Sequence, residues 1–355
     1  MRVLLKAYLT GNVGDDLMVR ILCQRYPTVW FTVVGRERFR DGFADLKNLD
    51  YIAGDEIVHK VIGGLLRVPL RSNLFGYAEI LLLTRQFDAY IILGGSMFIE
   101  SSATKKKCFA DKLWLKKRPY IVGCNFGPYT STAFLDFYQQ YFSNCKGITT
   151  REHSTQQLFN SLSNIKWAPD VVFSLNNKGS NVADNGDVLV SVIGYEKTGI
   201  PKTKYLSLLL NILGNIRNEG YTPVLMSFCE SEGDEAVIDE LLSESNPDTQ
   251  VIRYSGKNIQ EVLVAMQHAH CVVAGRFHAM ILAFVYHKRC LPVVYSGKME
   301  HVLTDVGFTD PVCVLYAGNP EADMSVLKSE TYFTIDENYL AKAKEQFYYL
   351  DKALK

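Results

Sequence analysis

The chain has 355 residues, of which 48% are hydrophobic and 21% charged, a composition that excludes a disordered chain and leaves room for two globular domains. Its 38 basic and 38 acidic residues cancel, which argues against nucleic acid as the main partner. No apolar run reaches the ~18 residues needed to span a bilayer, and the amino-terminal run is broken by Lys6, unlike a signal peptide. We therefore expect a cytoplasmic protein.

In the first half of the chain, short apolar runs alternate with amphipathic stretches such as 17–26. Most of the apolar runs end in a glycine-containing turn, which is typical of buried parallel strands separated by helices. The predicted strands are Val3–Tyr8, Thr28–Val34, Asp88–Leu93, Tyr120–Cys124 and Gly147–Thr150.

A polar stretch at 176–186 is the best linker, and the alternation restarts after it. The sequence therefore predicts an α/β protein with one Rossmann-like domain at 1–178 and another at 187–320, followed by a carboxy-terminal segment at 321–355. The sequence predicts a last helix from Glu337 to about Leu354 and leaves open whether that helix packs back on the first domain. Two such domains would form a cleft, with ligands beyond the carboxyl ends of the strands. Predicted strands of the second domain are Asp187–Ile193, Thr222–Phe228, His270–Ala274 and Leu291–Tyr295.

Three turns at strand ends in the first half have the composition of ligand-binding loops. The loop 11–16 combines two glycines with two aspartates but lacks the G-x-G-x-x-G pattern of a dinucleotide site. The turn 94–96 offers backbone N–H groups for a phosphate or carboxylate. The turn 125–129 shapes the floor of the cleft. For each of them an ordinary strand–helix turn is the alternative interpretation.

Charged side chains follow three later strands. Arg151 and Glu152 come directly after the strand 147–150, where they form either a surface pair or part of the cleft. Asp170 precedes the linker.

In the second half, Gly275-Arg276-Phe277-His278 joins an apolar strand to an apolar helix, so a permanent cation and a titratable imidazole share one turn. Lys298 follows the last strand, either as a second cation of that site or as a surface lysine.

Taken together, these motifs resemble the polysaccharide pyruvyl transferase family. The resemblance covers 12–298, and it departs from the family pattern at Asp16 in place of Glu, Ser96 in place of Gly and Val171 in place of Pro. In chain order the motifs are Asn12-Val13-Gly14-Asp15-Asp16, Gly94-Gly95-Ser96, Arg151-Glu152, Asp170-Val171-Val172-Phe173, Arg276-Phe277-His278-Ala279 and Tyr295 to Lys298.

The resemblance implies a GT-B-like fold and a transferase that uses phosphoenolpyruvate as donor. The acceptor would be a sugar of a polysaccharide, such as an exopolysaccharide, or of a lipid-linked oligosaccharide precursor, and the product a pyruvate ketal. No metal or other cofactor is expected. His278 is the predicted acid or base, and Asp15, Glu152 and Asp170 are predicted to activate the acceptor hydroxyl. The predicted substrate-binding residues are Arg276, Phe277, Arg151, Lys298, Asn12, Gly14, Gly94, Gly95 and Ser96.

Two other functions remain open: a nucleotide-sugar glycosyltransferase of the same architecture, and a non-catalytic glycan-binding relative. A lysine-rich stretch is either a solvated helix face or a peripheral contact with anionic lipid on the inner face of the membrane. Its residues are Lys105, Lys106, Lys107, Lys112, Lys116, Lys117 and Arg118. The sequence does not predict the oligomeric state.

Overall fold

The computed structural model describes residues 1–54, 74–100, 111–176, 182–246 and 248–355, with side chains from 79 onward in the second range. The chain forms two compact units. Unit 1 comprises Met1–Thr10, Asp15–Ser174 and Lys342–Lys355, and unit 2 comprises Gly11–Gly14 and Leu175–Ala341. The predicted basic residues Lys105–Lys107 lie outside the described residues. No helix in the described ranges is long and apolar enough to cross a bilayer.

Unit 1 contains a parallel sheet whose first strand lies in its interior. The described strands pair in the order β3-β2-β1-β4-β5-β6-β7. The strands β4 and β6 are buried along their whole length, which explains their continuous apolar or small residues. The bounds are β1 Arg2–Lys6, β2 Trp30–Gly35, β3 Leu49–Ala53, β4 Ala89–Leu93, β5 Tyr120–Cys124, β6 Gly147–Thr150 and β7 Ile165–Trp167.

An aromatic cluster fills the core on one side of this sheet. Phe126, Tyr138 and Phe142 pack with ring centroids 5.5 to 6.1 Å apart, in edge-on or tilted arrangements that aromatic rings favour. Helix α3 begins where the Ser131 hydroxyl accepts a hydrogen bond from the Phe134 N–H, which caps its first turn. The helices in the first part of the chain are α1 Val13–Arg25, α2 Leu74–Leu83, α3 Thr132–Ser143 and α4 His153–Leu158, with 3-10 turns at Glu37–Phe43 and Val171–Ser174.

Unit 2 repeats this architecture with a six-stranded parallel sheet in the order β10-β9-β8-β11-β12-β13. In both sheets the first strand of the unit pairs with its second and its fourth, which is the Rossmann strand order. The strands are β8 Asp187–Ser191, β9 Thr222–Ser227, β10 Gln250–Arg253, β11 Cys271–Ala274, β12 Arg289–Val294 and β13 Cys313–Val314. The helices are α5 Tyr195–Thr198, α6 Lys202–Asn218, α7 Asp234–Glu244, α8 Ile259–His268, α9 Phe277–Val285, α10 Gly297–Val306 and α11 Glu337–Lys342, with 3-10 turns at Glu230–Glu232 and Met324–Leu327.

The carboxy-terminal segment groups with unit 1. It is not one continuous helix: a 3-10 turn at Ala343–Phe347 precedes α12, Tyr348–Leu354. Gln346 in that turn is buried and accepts a hydrogen bond from the Gly123 N–H, while its amide donates to the carbonyls of Thr150 and Ala168. In α12, Asp351 accepts hydrogen bonds from the Arg25 guanidinium. These contacts tie the last residues of the chain to the sheet of unit 1.

Candidate active site

The Gly275–His278 motif occupies the point of unit 2 at which the strand order reverses. The strands β8 and β11 are neighbours, with Ser191 opposite Ala274, and their chains continue to opposite sides of the sheet. Ligands bind at this position in open parallel sheets because the loops leave a crevice there. A Cβ on Gly275 would lie 2.3 Å from the Ser191 carbonyl oxygen, so only glycine permits this close approach. The turn therefore projects Arg276 and the start of α9 at the crevice.

The Arg276 guanidinium is paired with two carboxylates of unit 2. Its Nε donates to Asp234 Oδ2 at 3.0 Å, its Nη2 donates to the other oxygen of Asp234, and its Nη1 donates to Glu232. Burial alone would lower the pKa of Arg276, but the two carboxylates outweigh burial and hold that pKa above its ordinary value. Arg276 thus keeps its positive charge while it is paired with these two carboxylates.

The imidazole of His278 lies against the loop Asn12–Gly14. A Cβ on Gly14 would fall 1.7 Å from His278 Nδ1, which means that the ring occupies the space of the missing side chain. The loop is held in unit 2 by the hydrogen bond from the Val13 N–H to the Phe228 carbonyl, 3.1 Å, and by a β-bridge from Asn12 to Cys229. The Asn12 side chain accepts from the Gly14 N–H at 3.0 Å, which fixes the turn. Two motifs that lie more than 260 residues apart in sequence therefore meet at one contact.

Two lysines add positive charge near this turn. Lys298 Nζ lies 5.3 Å from the ring centroid of Phe277 and 5.3 Å from that of Tyr295. Lys197 Nζ is 3.5 Å from Glu232 Oε1. Burial would raise the pKa of Glu232, but Arg276, Lys197 and Lys298 together hold it below its ordinary value. Arg276, Lys197 and Lys298 therefore all lie close enough to act on Glu232, and a group of three cations suits an anionic ligand.

In unit 1 the corresponding reversal point lies between β1 and β4, and the glycine turn 94–96 follows β4. Gly94 has φ +135°, a conformation that favours glycine, and Asp15 Oδ1 is 4.0 Å from the position of a Cβ on it. Asp15 is partly exposed, whereas Asp16 is buried. The first acidic motif and the glycine turn are therefore neighbours within unit 1.

Arg151 connects the ends of four neighbouring strands of unit 1. Its guanidinium lies over the backbone of Gly95, where a Cβ would be 2.1 Å from its central carbon. It forms an ion pair of 3.1 Å with Asp170 and donates to Asn125 at 2.7 Å and to Ser96 at 3.2 Å. The side chain is 3% exposed. These contacts hold the ends of the four strands together, and the predicted role of Arg151 in binding a substrate anion stays a prediction.

The two remaining carboxylates predicted to be catalytic are both buried. Asp170 accepts hydrogen bonds from Arg151 and from the Val172 N–H, 2.9 Å, so it anchors the 3-10 turn that follows β7. Glu152 is 4% exposed and lies directly before α4. Of the three predicted carboxylates only Asp15 is accessible to a substrate in this structure. The catalytic roles of all three stay predictions.

The structure adds residues that the sequence did not single out. Asp234 and Glu232 flank Gly233 after β9, and both pair with Arg276. Two acidic residues on either side of a glycine after a strand were the signal in the sequence that could have indicated this site. Their partner was not apparent, because Arg276 lies 42 residues after Asp234. Within the described ranges no group of three or more His, Cys, Asp or Glu side chains is arranged to hold a metal ion.

The comparison with family models settles which group of proteins this is. The model of the polysaccharide pyruvyl transferase family matches residues 12–297, most of the chain and the whole stretch that carries the motifs. The chain belongs to the polysaccharide pyruvyl transferase family. The resemblance drawn from the motifs is thereby confirmed. A search of curated proteins found no match.

Solved structures show the fold of this pyruvyl transferase family member. The UDP-N-acetylglucosamine 2-epimerase from Rickettsia bellii superposes with a TM-score of 0.55 at 8% identity, covering 99% of this chain and 96% of that one. The Neisseria meningitidis UDP-GlcNAc 2-epimerase bound to UDP-GlcNAc gives 0.54 at 11% identity, covering 100% and 93%. The S. aureus MnaA–UDP structure gives 0.53 at 9% identity, covering 99% and 89%. The predicted fold class, two parallel sheets with helices in a GT-B-like arrangement, is confirmed; at these identities the likeness concerns the fold alone.

Proposed function

We propose that the protein transfers pyruvate from phosphoenolpyruvate to two hydroxyls of a sugar, forming a cyclic pyruvate ketal and releasing phosphate. The observation that carries this proposal is the contact of His278 with Gly14 beside Arg276, because it joins a titratable group and a cationic turn at one reversal point. Family membership supports a transferase that acts on a polysaccharide or its precursor.

The donor is assigned to unit 2. Phosphoenolpyruvate carries a phosphate and a carboxylate, and its recognition needs fixed cations together with hydrogen-bond donors. The three cations Arg276, Lys298 and Lys197 fit that need. The ring of Phe277 contacts the ammonium of Lys298, and the loop at Asn12–Gly14 covers one side of the His278 imidazole.

The reaction needs one proton at the donor and the removal of one from each hydroxyl. A proton added to the methylene carbon turns it into a methyl group and leaves a cationic carbon, which the first sugar hydroxyl attacks. The second hydroxyl then displaces phosphate from the same carbon. The two sugar hydroxyls release two protons in all. One of them replaces the proton that the methylene carbon takes up, and the other is carried away by the released phosphate. His278 is the proposed group for proton delivery, and Asp15, the residue after Gly14, is the proposed base toward the hydroxyl.

The buried residues of unit 1 are assigned a supporting role. Arg151 and Asp170 hold the glycine turn 94–96 at the end of β4, so the backbone N–H groups of that turn keep their direction. A fixed turn of this kind suits a polar acceptor such as a sugar. The acceptor sugar is therefore assigned to unit 1.

A phosphate-release assay tests the proposal against its two alternatives. The protein is incubated with phosphoenolpyruvate and a panel of glycosides and lipid-linked sugars, and in parallel with nucleotide sugars. Phosphate release that requires both phosphoenolpyruvate and a glycoside supports the proposal. Turnover of a nucleotide sugar without phosphoenolpyruvate would instead favour the glycosyltransferase, and saturable glycan binding without turnover of either donor would favour the non-catalytic relative.

We further propose that a basic surface of unit 1 contacts anionic lipid, which would bring the protein to lipid-linked acceptors. Lys112, Lys116 and Arg118 are exposed there. Glu79 of helix α2 accepts a hydrogen bond from Trp114, and the next two residues, Ile80 and Leu81, are 38% and 49% exposed. Flotation with vesicles containing phosphatidylglycerol should show salt-sensitive binding that is lost when the three cations are replaced by glutamine. Absence of binding even at low salt would exclude this contact.

A further inference from the structure

The two carboxylates that pair with Arg276 differ in how firmly they are held. Both belong to the turn that joins β9 to α7, on either side of Gly233, whose φ of +88° lets the chain reverse. They nevertheless contact different edges of the guanidinium. Asp234 accepts from Nε and Nη2, and Glu232 accepts from Nη1.

Asp234 is a fixed partner. Its side chain has no exposed surface, and besides Arg276 it accepts hydrogen bonds from the backbone N–H groups of Phe228 and Cys229, at 2.9 and 3.0 Å. Removing it from Arg276 would leave a buried carboxylate without its counter-charge, which is strongly unfavourable. We therefore treat the Asp234–Arg276 pair as part of the framework of unit 2.

Glu232 is held much less tightly. Its side chain is 33% exposed, it ends a three-residue 3-10 turn, and its second oxygen already faces Lys197 at 3.5 Å. Lys197 is 49% exposed and lies on the short helix after β8, so it is free to follow the carboxylate toward solvent. Glu232 can therefore leave Arg276 without losing all of its counter-charge.

We propose that Glu232 occupies the place of the donor's anionic group, and that the donor displaces it from Arg276 Nη1 onto Lys197. This inference rests on the proposed function and deepens it, since it names the residue that sets donor affinity. The Glu232 carboxylate acts as a competing intramolecular anion, and the guanidinium is kept in place meanwhile by Asp234. Glu232 is then a specificity-determining residue: it admits a ligand only if that ligand offers a stronger bidentate or doubly charged anion than one carboxylate.

The test measures the dissociation constants of phosphoenolpyruvate and of inorganic phosphate for the full chain by calorimetry. Replacing Glu232 by glutamine keeps the size of the side chain and removes its charge. We expect Glu232→Gln to bind both ligands up to about fivefold more tightly, the range of one partly exposed ion pair. The matched control is Glu230→Gln, which removes the same charge from the same turn and should leave both constants unchanged.

A second variant separates displacement from a general charge effect. Lys197→Met removes the alternative partner, so in the wild-type background it should weaken ligand binding, and in the Glu232→Gln background this weakening should shrink. Unchanged or weaker binding of both ligands by a folded Glu232→Gln protein, or equal effects of the two glutamine variants, would overturn the inference. If phosphate binding tightens as expected while phosphoenolpyruvate does not bind to any variant, the displacement holds and the proposed donor is wrong.

Discussion

The imidazole of His278 fills the space that a side chain on Gly14 would occupy, and its Nδ1 lies 1.7 Å from the position of a Cβ on residue 14. Glycine is thus required at residue 14 for contact rather than for backbone conformation, since its φ is not positive. The contact explains why an amino-terminal motif and one near residue 278 belong to the same site.

Replacing Gly14 by alanine should displace the imidazole and reduce activity strongly. The added methyl group forces either the ring or the loop Asn12–Gly14 to move by more than 1 Å, and misplacement of that size costs about 100-fold in kcat/KM. Overpacking should also lower the free energy of unfolding by about 1–3 kcal/mol. Steady-state kinetics of phosphate release and urea denaturation measure the two effects.

The matched control for this prediction is Gly214→Ala. Gly214 lies inside helix α6, and a Cβ there meets nothing within 4 Å. Alanine should leave activity unchanged and stabilise the helix by about 0.5–1 kcal/mol. Equal activities of Gly14→Ala and wild type would show that the imidazole position does not matter.

Lys298 should contribute to donor binding rather than to the chemical step. Its ammonium lies beside the rings of Phe277 and Tyr295, so Lys298→Met keeps the packing of the stem and removes the charge. We expect KM for phosphoenolpyruvate to rise about tenfold with little change in kcat. Lys288→Met, which removes a lysine at the opposite end of β12, serves as control and should leave KM unchanged. A fall in kcat alone would assign Lys298 a different role.

Arg151 should matter for the stability of unit 1. Arg151→Ala leaves the buried Asp170 carboxylate without its ion pair and the Asn125 amide oxygen without its donor, which should lower the free energy of unfolding by about 3–5 kcal/mol. Arg40→Ala breaks an exposed pair with Glu37 and should cost less than about 1 kcal/mol. Guanidinium denaturation compares the two. Similar losses for both variants would contradict the supporting role given to Arg151.

The attachment of the last helix should depend on pH through Asp351. Burial would raise the pKa of this carboxyl, but hydrogen bonds from Arg25, Tyr26 and Lys355 outweigh burial and hold the pKa below its ordinary value of 3.8. Because the folded pKa is depressed, the stabilisation is fully present above the ordinary value and is lost as the pH falls through the folded pKa.

Asp351→Asn should therefore be less stable than wild type by about 1 kcal/mol at neutral pH, and the difference should shrink as the pH falls below 3.8 and the carboxyl takes up a proton. Denaturation from pH 7 to pH 2 measures it. Asp136→Asn, at an exposed position of helix α3, should show no such difference. A gap between Asp351→Asn and wild type that persists in acid would mean that packing rather than charge holds the helix.

Much of the sheet could be predicted because its strands are buried on both faces. The bounds of β5 and β6 agree with the predicted 120–124 and 147–150, since continuous apolar or small residues define such strands. The edge strand β10 was not predicted; its residues are half-exposed and read Gln-Val-Ile-Arg, which gives no continuous apolar run. The last helix was predicted as continuous, but the contacts of Gln346 hold residues 343–347 in a 3-10 turn.

The motifs of the candidate site could be predicted from the sequence, but the ion pairs and hydrogen bonds between their side chains could not. Arg276 and His278 stood out because a cation and an imidazole share one strand–helix turn. Arg276 is paired with Asp234 and Glu232 in the folded chain. These residues are distant in sequence, so their spacing along the chain does not reveal the contact. The same holds for Arg151, whose pairing with Asp170, Asn125 and Ser96 spacing along the chain did not reveal; its role as an anion ligand stays a prediction.

Running the reaction in deuterium oxide tests whether phosphoenolpyruvate takes up a proton from the protein before the ketal forms. We expect one phosphate released for each ketal formed, a single deuterium in the ketal methyl group, and loss of both products in His278→Ala. Ketal formation without deuterium in the methyl group would contradict the proposed protonation. Full activity of His278→Ala would contradict the assignment of the proton to His278.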